Sequence, residues 1–109
     1  GLYVFDEVDT GVGGAVAERI GRALADVSSH RQVLCITHLA PIAALANAHF
    51  VVEKCQNADL ATSTVRRFKG KERIREVARM LAGAKVTDAA VTAAAEMVRE
   101  GRGASDACA

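Results

Sequence analysis

The strongest constraint on the fold is a short apolar stretch that ends in two adjacent carboxylates. Residues 2–5 read Leu-Tyr-Val-Phe, and Asp6 and Glu7 follow directly. A short run rich in aromatic and β-branched residues is typical of a buried β-strand. Because ligands of an open α/β sheet bind at the C-terminal ends of its strands, the two acids mark a candidate site. A metal ion would relieve their mutual repulsion. The alternative is a surface strand that ends in solvated acids.

A second apolar strand is expected after one intervening helix. Apolar residues recur every four positions over residues 15–28, which predicts an amphipathic helix. Residues 32–37 are apolar again and predict a strand that is covered on both faces. A strand–helix–strand order predicts two parallel strands, whose C-terminal ends lie at the same edge of the sheet. His38 is therefore predicted beside Asp6 and Glu7, although it is distant from them in the sequence.

The rest of the chain predicts two further strands, three helices and a tail. The sheet is expected to gain a short antiparallel edge, so the fold class is α/β with parallel strands and helices on the faces of the sheet. The segments are predicted at residues 41–47 (helix), 49–53 (strand), 54–60 (loop), 62–68 (antiparallel edge strand), 72–81 (helix ending at Gly83), 87–100 (helix capped by Thr87) and 101–109 (flexible tail).

Composition excludes several classes of protein. The 109 residues suffice for one domain at most, and the net charge of +1 indicates neither a nucleic-acid partner nor a membrane. No apolar run approaches the roughly 20 residues that span a bilayer. The three cysteines form no CxxC pair, which argues against a zinc site and favours the reducing cytoplasm. Since the chain opens inside its best motif, we expect it to be a segment of a longer protein.

A basic run begins within the predicted edge strand and continues beyond it. It interleaves with Glu72 and Glu76, which favours a solvated face over the alternative, a surface that contacts DNA. Its seven cations are Arg66, Arg67, Lys69, Lys71, Arg73, Arg75 and Arg79.

An apolar strand that ends in Asp-Glu is the Walker B pattern of P-loop ATPases. Residues 2–14 and 32–44 together resemble the RecN family of SMC-like, ABC-type ATPases, and the similarity continues more weakly through residues 50–54 and 73–83. The Gly-Val-Gly-Gly at residues 11–14 favours this family over transporter cassettes. The resemblance implies that residues 1–100 form the C-terminal lobe of an ABC- or SMC-like ATPase head, that is, part of a P-loop NTPase sheet.

The resemblance also implies roles for individual residues and partners. Asp6 would serve Mg²⁺, Glu7 would be the catalytic base, and His38 would sense the γ-phosphate of ATP. Asp9 and Gly11 would belong to the D-loop, which contacts a second head in a homodimer. The implied function is ATP hydrolysis in the repair of DNA double-strand breaks and in recombination. The implied location is the bacterial cytoplasm, at the nucleoid, with no membrane partner.

Two alternatives stay open at this point. One is the head of another ABC-type ATPase, such as an SMC protein or a transporter cassette. The other is a catalytically silent α/β module that binds DNA or a protein partner. No GxxxxGK[ST] sequence that would cradle the phosphates occurs in the chain, and the ABC signature motif and the coiled coil are absent as well. We expect all three upstream.

Because the phosphate-binding loop is missing, we expect residues 1–109 alone to show no measurable ATP hydrolysis. A phosphate-release assay on the purified segment tests this expectation. Clear turnover that Glu7→Gln abolishes would contradict it.

Overall fold

The computed structural model describes residues 2–6, 14–57 and 59–108, of which residues 14 and 102–108 are described by their backbone alone. The architecture is α/β, with one parallel and one antiparallel pair of strands. In chain order the elements are β1 (Leu2–Asp6), α1 (Gly14–Ser28), β2 (Gln32–Ile36), α2 (Ala40–Ala44), β3 (His49–Asn57), β4 (Leu60–Phe68), α3 (Gly70–Ala82) and α4 (Asp88–Cys108).

Strands β1 and β2 pair in parallel, which confirms the predicted strand–helix–strand unit. The register runs from Leu2 opposite Gln32 to Asp6 opposite Ile36. The predicted burial of both strands is wrong for the described chain. Val4 is 57% exposed and Ile36 is 51% exposed. The physical reason is that strand side chains point to the two faces of the sheet, and among the described helices α1 is the one that packs substantially on this sheet, so many of these side chains stay open to solvent.

Strands β3 and β4 form an antiparallel hairpin that is longer than predicted. The antiparallel pairing of residues 62–68 is confirmed, but the loop predicted at residues 54–60 is wrong. Pairing continues through Cys55 opposite Thr62 to Asn57 opposite Leu60. Backbone hydrogen bonds require no apolar side chain, and this part of the hairpin is exposed on both faces, so polar residues occupy it without cost.

The hydrophobic core lies among the helices, with the short helix α2 at its centre. Helix α2 packs against α1, α3 and α4. Small side chains dominate the contact, which lets the helix axes approach closely. The core cluster consists of Ala40, Ala44, Val77, Ala78, Ala94 and Val98.

Two glycines allow neighbouring helices to touch the backbone of α2. A Cβ atom on Gly21 of α1 would lie 2.6 Å from Leu45 Cδ1 and 3.3 Å from Ile42 Cα. A Cβ atom on Gly101 of α4 would overlap the carbonyl oxygen of Ala44 and lie 3.1 Å from Leu45 Cα. Both positions therefore require glycine for packing rather than for backbone conformation.

The last helix begins as predicted and ends later. The Ala90 N–H donates to Thr87 Oγ1 at 3.1 Å, which confirms the predicted cap. Helix α4 continues to Cys108, so the predicted end near Glu100 is wrong, whereas the flexibility predicted for residues 101–109 stays a prediction. Gly101, the first residue after the predicted helix end, is a buried residue inside the helix and makes room for α2.

His49 lies at the base of the hairpin, half-buried and opposite Phe68. The two ring centroids are 6.5 Å apart. Burial lowers the pKa of His49 below 6.5, and the nearby Arg73 lowers it further, while Glu76 opposes them. Its Nδ1 atom is buried and has no hydrogen-bond partner among the described residues. The neutral ring is therefore the form that the folded chain favours.

We expect Gly101→Ala to destabilise the contact between α2 and α4 by about 1–3 kcal/mol, because the clash outweighs the roughly 1 kcal/mol that alanine gains in a helix. Gly21→Ala should cost less, since the methyl group of Leu45 can move. Hydrogen exchange of the amides in residues 40–46 measures both variants. Slower exchange in Gly101→Ala would contradict the packing role of this glycine.

The lowered pKa of His49 predicts that stability falls in acid. Since the unfolded chain binds the proton more readily, the stability contributed by neutral His49 is complete above about pH 6.5 and is lost as the pH falls toward the folded pKa. His49→Phe should therefore flatten the pH dependence of the urea midpoint between about pH 7 and pH 5. His30→Phe is the matched control because His30 is exposed. An unchanged slope in His49→Phe would contradict this assignment.

Candidate functional site

The candidate site lies at the C-terminal edge of the parallel pair. Asp6 is the last residue of β1 and stands opposite Ile36, the last residue of β2. Thr37 and His38 follow Ile36 directly, so the register brings Asp6 and His38 to the same end of the sheet. Both residues are exposed. The edge thus offers a carboxylate and an imidazole to a ligand in solvent, as the strand order predicted.

The remaining predicted site residues lie outside the described part of the chain. These are Glu7, predicted as the catalytic base, and Asp9 and Gly11, predicted in the D-loop. Their roles stay predictions, as do those of Asp6 and His38.

The segment that carries His38 is tied to the start of α2. The Leu39 N–H donates to Thr37 Oγ1 at 3.0 Å, which closes a tight turn around His38. Leu39 precedes the helix in an extended conformation, and Pro41 lies in its first turn. The fixed φ angle of proline suits that position. His38 therefore lies between the end of β2 and the start of the buried helix α2. Only Thr37 separates it from the strand, and only Leu39 separates it from the helix.

Arg73 is the residue that sequence reasoning missed. It was grouped with the solvated cations, but it is only 5% exposed. Its Nη2 atom donates to the carbonyl oxygens of Ala43 at 3.2 Å, Ala44 at 3.3 Å and Ala46 at 2.6 Å. A signal was present in the sequence: Arg73 precedes Val77 by four residues, which places it on the apolar face of α3.

The other basic residues behave as a solvated face. The Arg66 guanidinium lies 4.6 Å from the centre of the Phe68 ring and forms ion pairs with Glu72 at 2.8 Å and Glu53 at 3.8 Å. Arg79 pairs with Glu76 within the same helix at 2.6 Å. The exposed pairs of Arg66 contribute about 0–1 kcal/mol each, whereas the Glu76 side chain that binds Arg79 is only 13% exposed. The remaining cations of the run, Arg67, Lys69, Lys71 and Arg75, are exposed.

The donor set at the edge fits a magnesium ion that is shared with a ligand. Among the described residues, no group of three or more His, Cys, Asp or Glu side chains could enclose a metal. Magnesium rarely needs such a cage, because it keeps several waters and takes one or two carboxylates together with substrate phosphates. One exposed carboxylate at the end of β1 meets that requirement.

None of the helices in the described part of the chain has the length and apolar character of a membrane-spanning helix.

The fold matches that of SMC ATPases. A solved structure from a study of the ATP-driven dimerization and DNA-stimulated activation of SMC ATPases superposes on 77% of this chain and 50% of that chain, with a TM-score of 0.60. The sequences are 17% identical, so this likeness concerns the fold alone. It confirms the predicted α/β class of an SMC-like head.

Several proteins are more similar to this chain in sequence than the SMC structure is. The chain is 43% identical over 100 residues to the DNA repair protein RecN of Streptomyces coelicolor, which covers 92% of this chain and 18% of the relative. It is 46% identical over 95 residues to RecN of Deinococcus radiodurans, with 87% and 17% covered. It is 41% identical over 97 residues to RecN of Bacillus subtilis, with 89% and 17% covered.

The chain thus spans less than a fifth of the length of the curated relatives that it matches. No protein-family model matches it. Each of these alignments covers about nine-tenths of the chain. Over the part of those proteins that it spans, the chain belongs to the RecN family of DNA repair proteins.

Proposed function

We propose that this chain supplies one part of the ATPase head of a RecN-like DNA repair protein, which hydrolyses ATP in the repair of double-strand breaks and in recombination. The observation that carries the proposal is the strand register, in which Asp6 and the residue before Thr37-His38 are direct neighbours. The RecN relatives and the SMC-like fold support it.

In this proposal each predicted site residue has one role. Asp6 holds Mg²⁺, which would neutralise charge on the phosphates when bound. Glu7 accepts a proton from the attacking water, and His38 donates a hydrogen bond to the γ-phosphate. Asp9 and Gly11 contact a second head. Both described residues, Asp6 and His38, are exposed, as groups that receive a ligand from solvent must be.

The proposal extends to partners. The SMC structure with the same fold comes from work on ATP-driven dimerization and on activation by DNA. We infer the same kind of assembly for the whole protein to which this chain belongs: two identical heads joined around ATP, and DNA bound by the complete molecule. A bacterial DNA repair protein of this kind acts in the cytoplasm, at the nucleoid.

Glu7→Gln in the full-length protein should lower ATP turnover by about 10²–10⁴-fold, because a positioned general base is removed. Binding of ATP should persist, so the variant should retain unhydrolysed ATP on the protein. Single-turnover hydrolysis and nucleotide retention on a filter measure the two effects.

The matched control is Glu96→Gln, which makes the same chemical change at an exposed position on α4 and should leave turnover unchanged. Normal turnover by Glu7→Gln would refute the proposed base. If DNA repair also survives replacement of Asp6, Glu7 and His38 together, the silent binding module is the correct alternative.

A further inference from the structure

We propose that Arg73 is a positioning residue for the ATPase site: it fixes α2 and, through α2, the place of His38. This inference rests on the proposed function, since it concerns the same site. It begins from a buried arginine whose Nη2 atom donates to three carbonyl oxygens at and just beyond the end of one short helix.

Helix α2 cannot hold its own position. It has five residues, and a helix of that length leaves most of its terminal carbonyl groups without partners inside the helix. Isolated helices so short are unstable in water. The N–H groups of Leu45 and Ala46 bind the carbonyl oxygens of Ile42 and Ala43. Ala44 is buried and Ala46 lies just beyond the helix, so a donor from another element is well placed to bind their carbonyl oxygens.

Arg73 of α3 performs this task. One guanidinium nitrogen reaches three carbonyl oxygens, on Ala43, Ala44 and Ala46, across about 30 residues of sequence. Hydrogen bonds from a charged donor are stronger than neutral ones, and the positive charge suits the C-terminal end of a helix. Its neighbour Arg75 lies on the same helix and is exposed.

The constraint continues from α2 to His38. The Ala43 N–H donates to the carbonyl oxygen of Leu39 at 3.2 Å, and the Leu39 N–H donates to Thr37 Oγ1 at 3.0 Å. An unbroken series of bonds thus joins the residues on both sides of His38 to the carbonyl that Arg73 binds. Because Ala40 is 2% exposed, α2 cannot slide without disturbing the core. Loss of the arginine frees α2, and the His38 segment moves with it.

A double-mutant cycle in the full-length protein tests the inference. Arg73→Met keeps the length of the side chain and removes its donors. We expect it to lower the single-turnover rate by up to about 10²-fold with little change in the KM for ATP, since small misplacements of a reacting group cost that much. In a protein that already carries His38→Ala, adding Arg73→Met should lower the single-turnover rate no further. Both changes remove the same contribution, that of a correctly placed His38. An independent structural defect would multiply the two losses.

Two further variants complete the experiment. Arg75→Met is the matched control and should turn over normally. Arg73→Lys keeps the charge and should recover part of the rate. Hydrogen exchange in residues 37–46 should rise in Arg73→Met while exchange in residues 88–98 of α4 stays unchanged. If Arg73→Met is insoluble, Arg73→Lys enters the same cycle in its place.

The outcomes separate this inference from the function on which it rests. Normal turnover by both Glu7→Gln and His38→Ala would overturn the ATPase assignment itself. If those two variants are impaired but Arg73→Met turns over normally, or if its loss multiplies with that of His38→Ala, the assignment stands and the positioning role of Arg73 is wrong.

Discussion

The structure depends on the burial of one very short helix. Helix α2 is enclosed by α1, α3 and α4, and Gly21 of α1 and Gly101 of α4 lie close against it and its C-terminal cap. Two requirements follow. The residues that face the helix must be small, and Gly21 and Gly101 meet this requirement. The buried carbonyl groups at the end of the helix need hydrogen-bond donors, and Arg73 provides one. These residues come from three different helices, so α2 joins them into one core.

The candidate site lies where this core meets the parallel strands. Asp6 stands at the end of β1, and His38 stands between β2 and α2. The side of the molecule that would face a nucleotide is exposed, while the parts that hold it in place are buried. Such a division suits a site whose task is electrostatic and geometric, since the charged groups must reach solvent and their supports must not move.

Local patterns predicted the fold well wherever a short segment settles its own structure. The amphipathic helix α1, the parallel order of β1 and β2, the Thr87 cap and the end of α3 at Gly83 follow from residues close in sequence. Predictions failed where distant residues decide. Helix α4 was predicted to end near Glu100, but it continues through Gly101, which lies against the backbone of Ala44 and Leu45.

The sequence by itself determined the kind of site: an apolar strand that ends in Asp6 and Glu7, and a second that leads to His38, in an order that forces parallel pairing. It also carried the family resemblance. Only the tertiary structure decided that Arg73, one cation among seven, is buried. Periodicity fixes which face of α3 a residue occupies. Whether that face meets solvent or the backbone carbonyls of another helix depends on residues about 30 positions away in the chain.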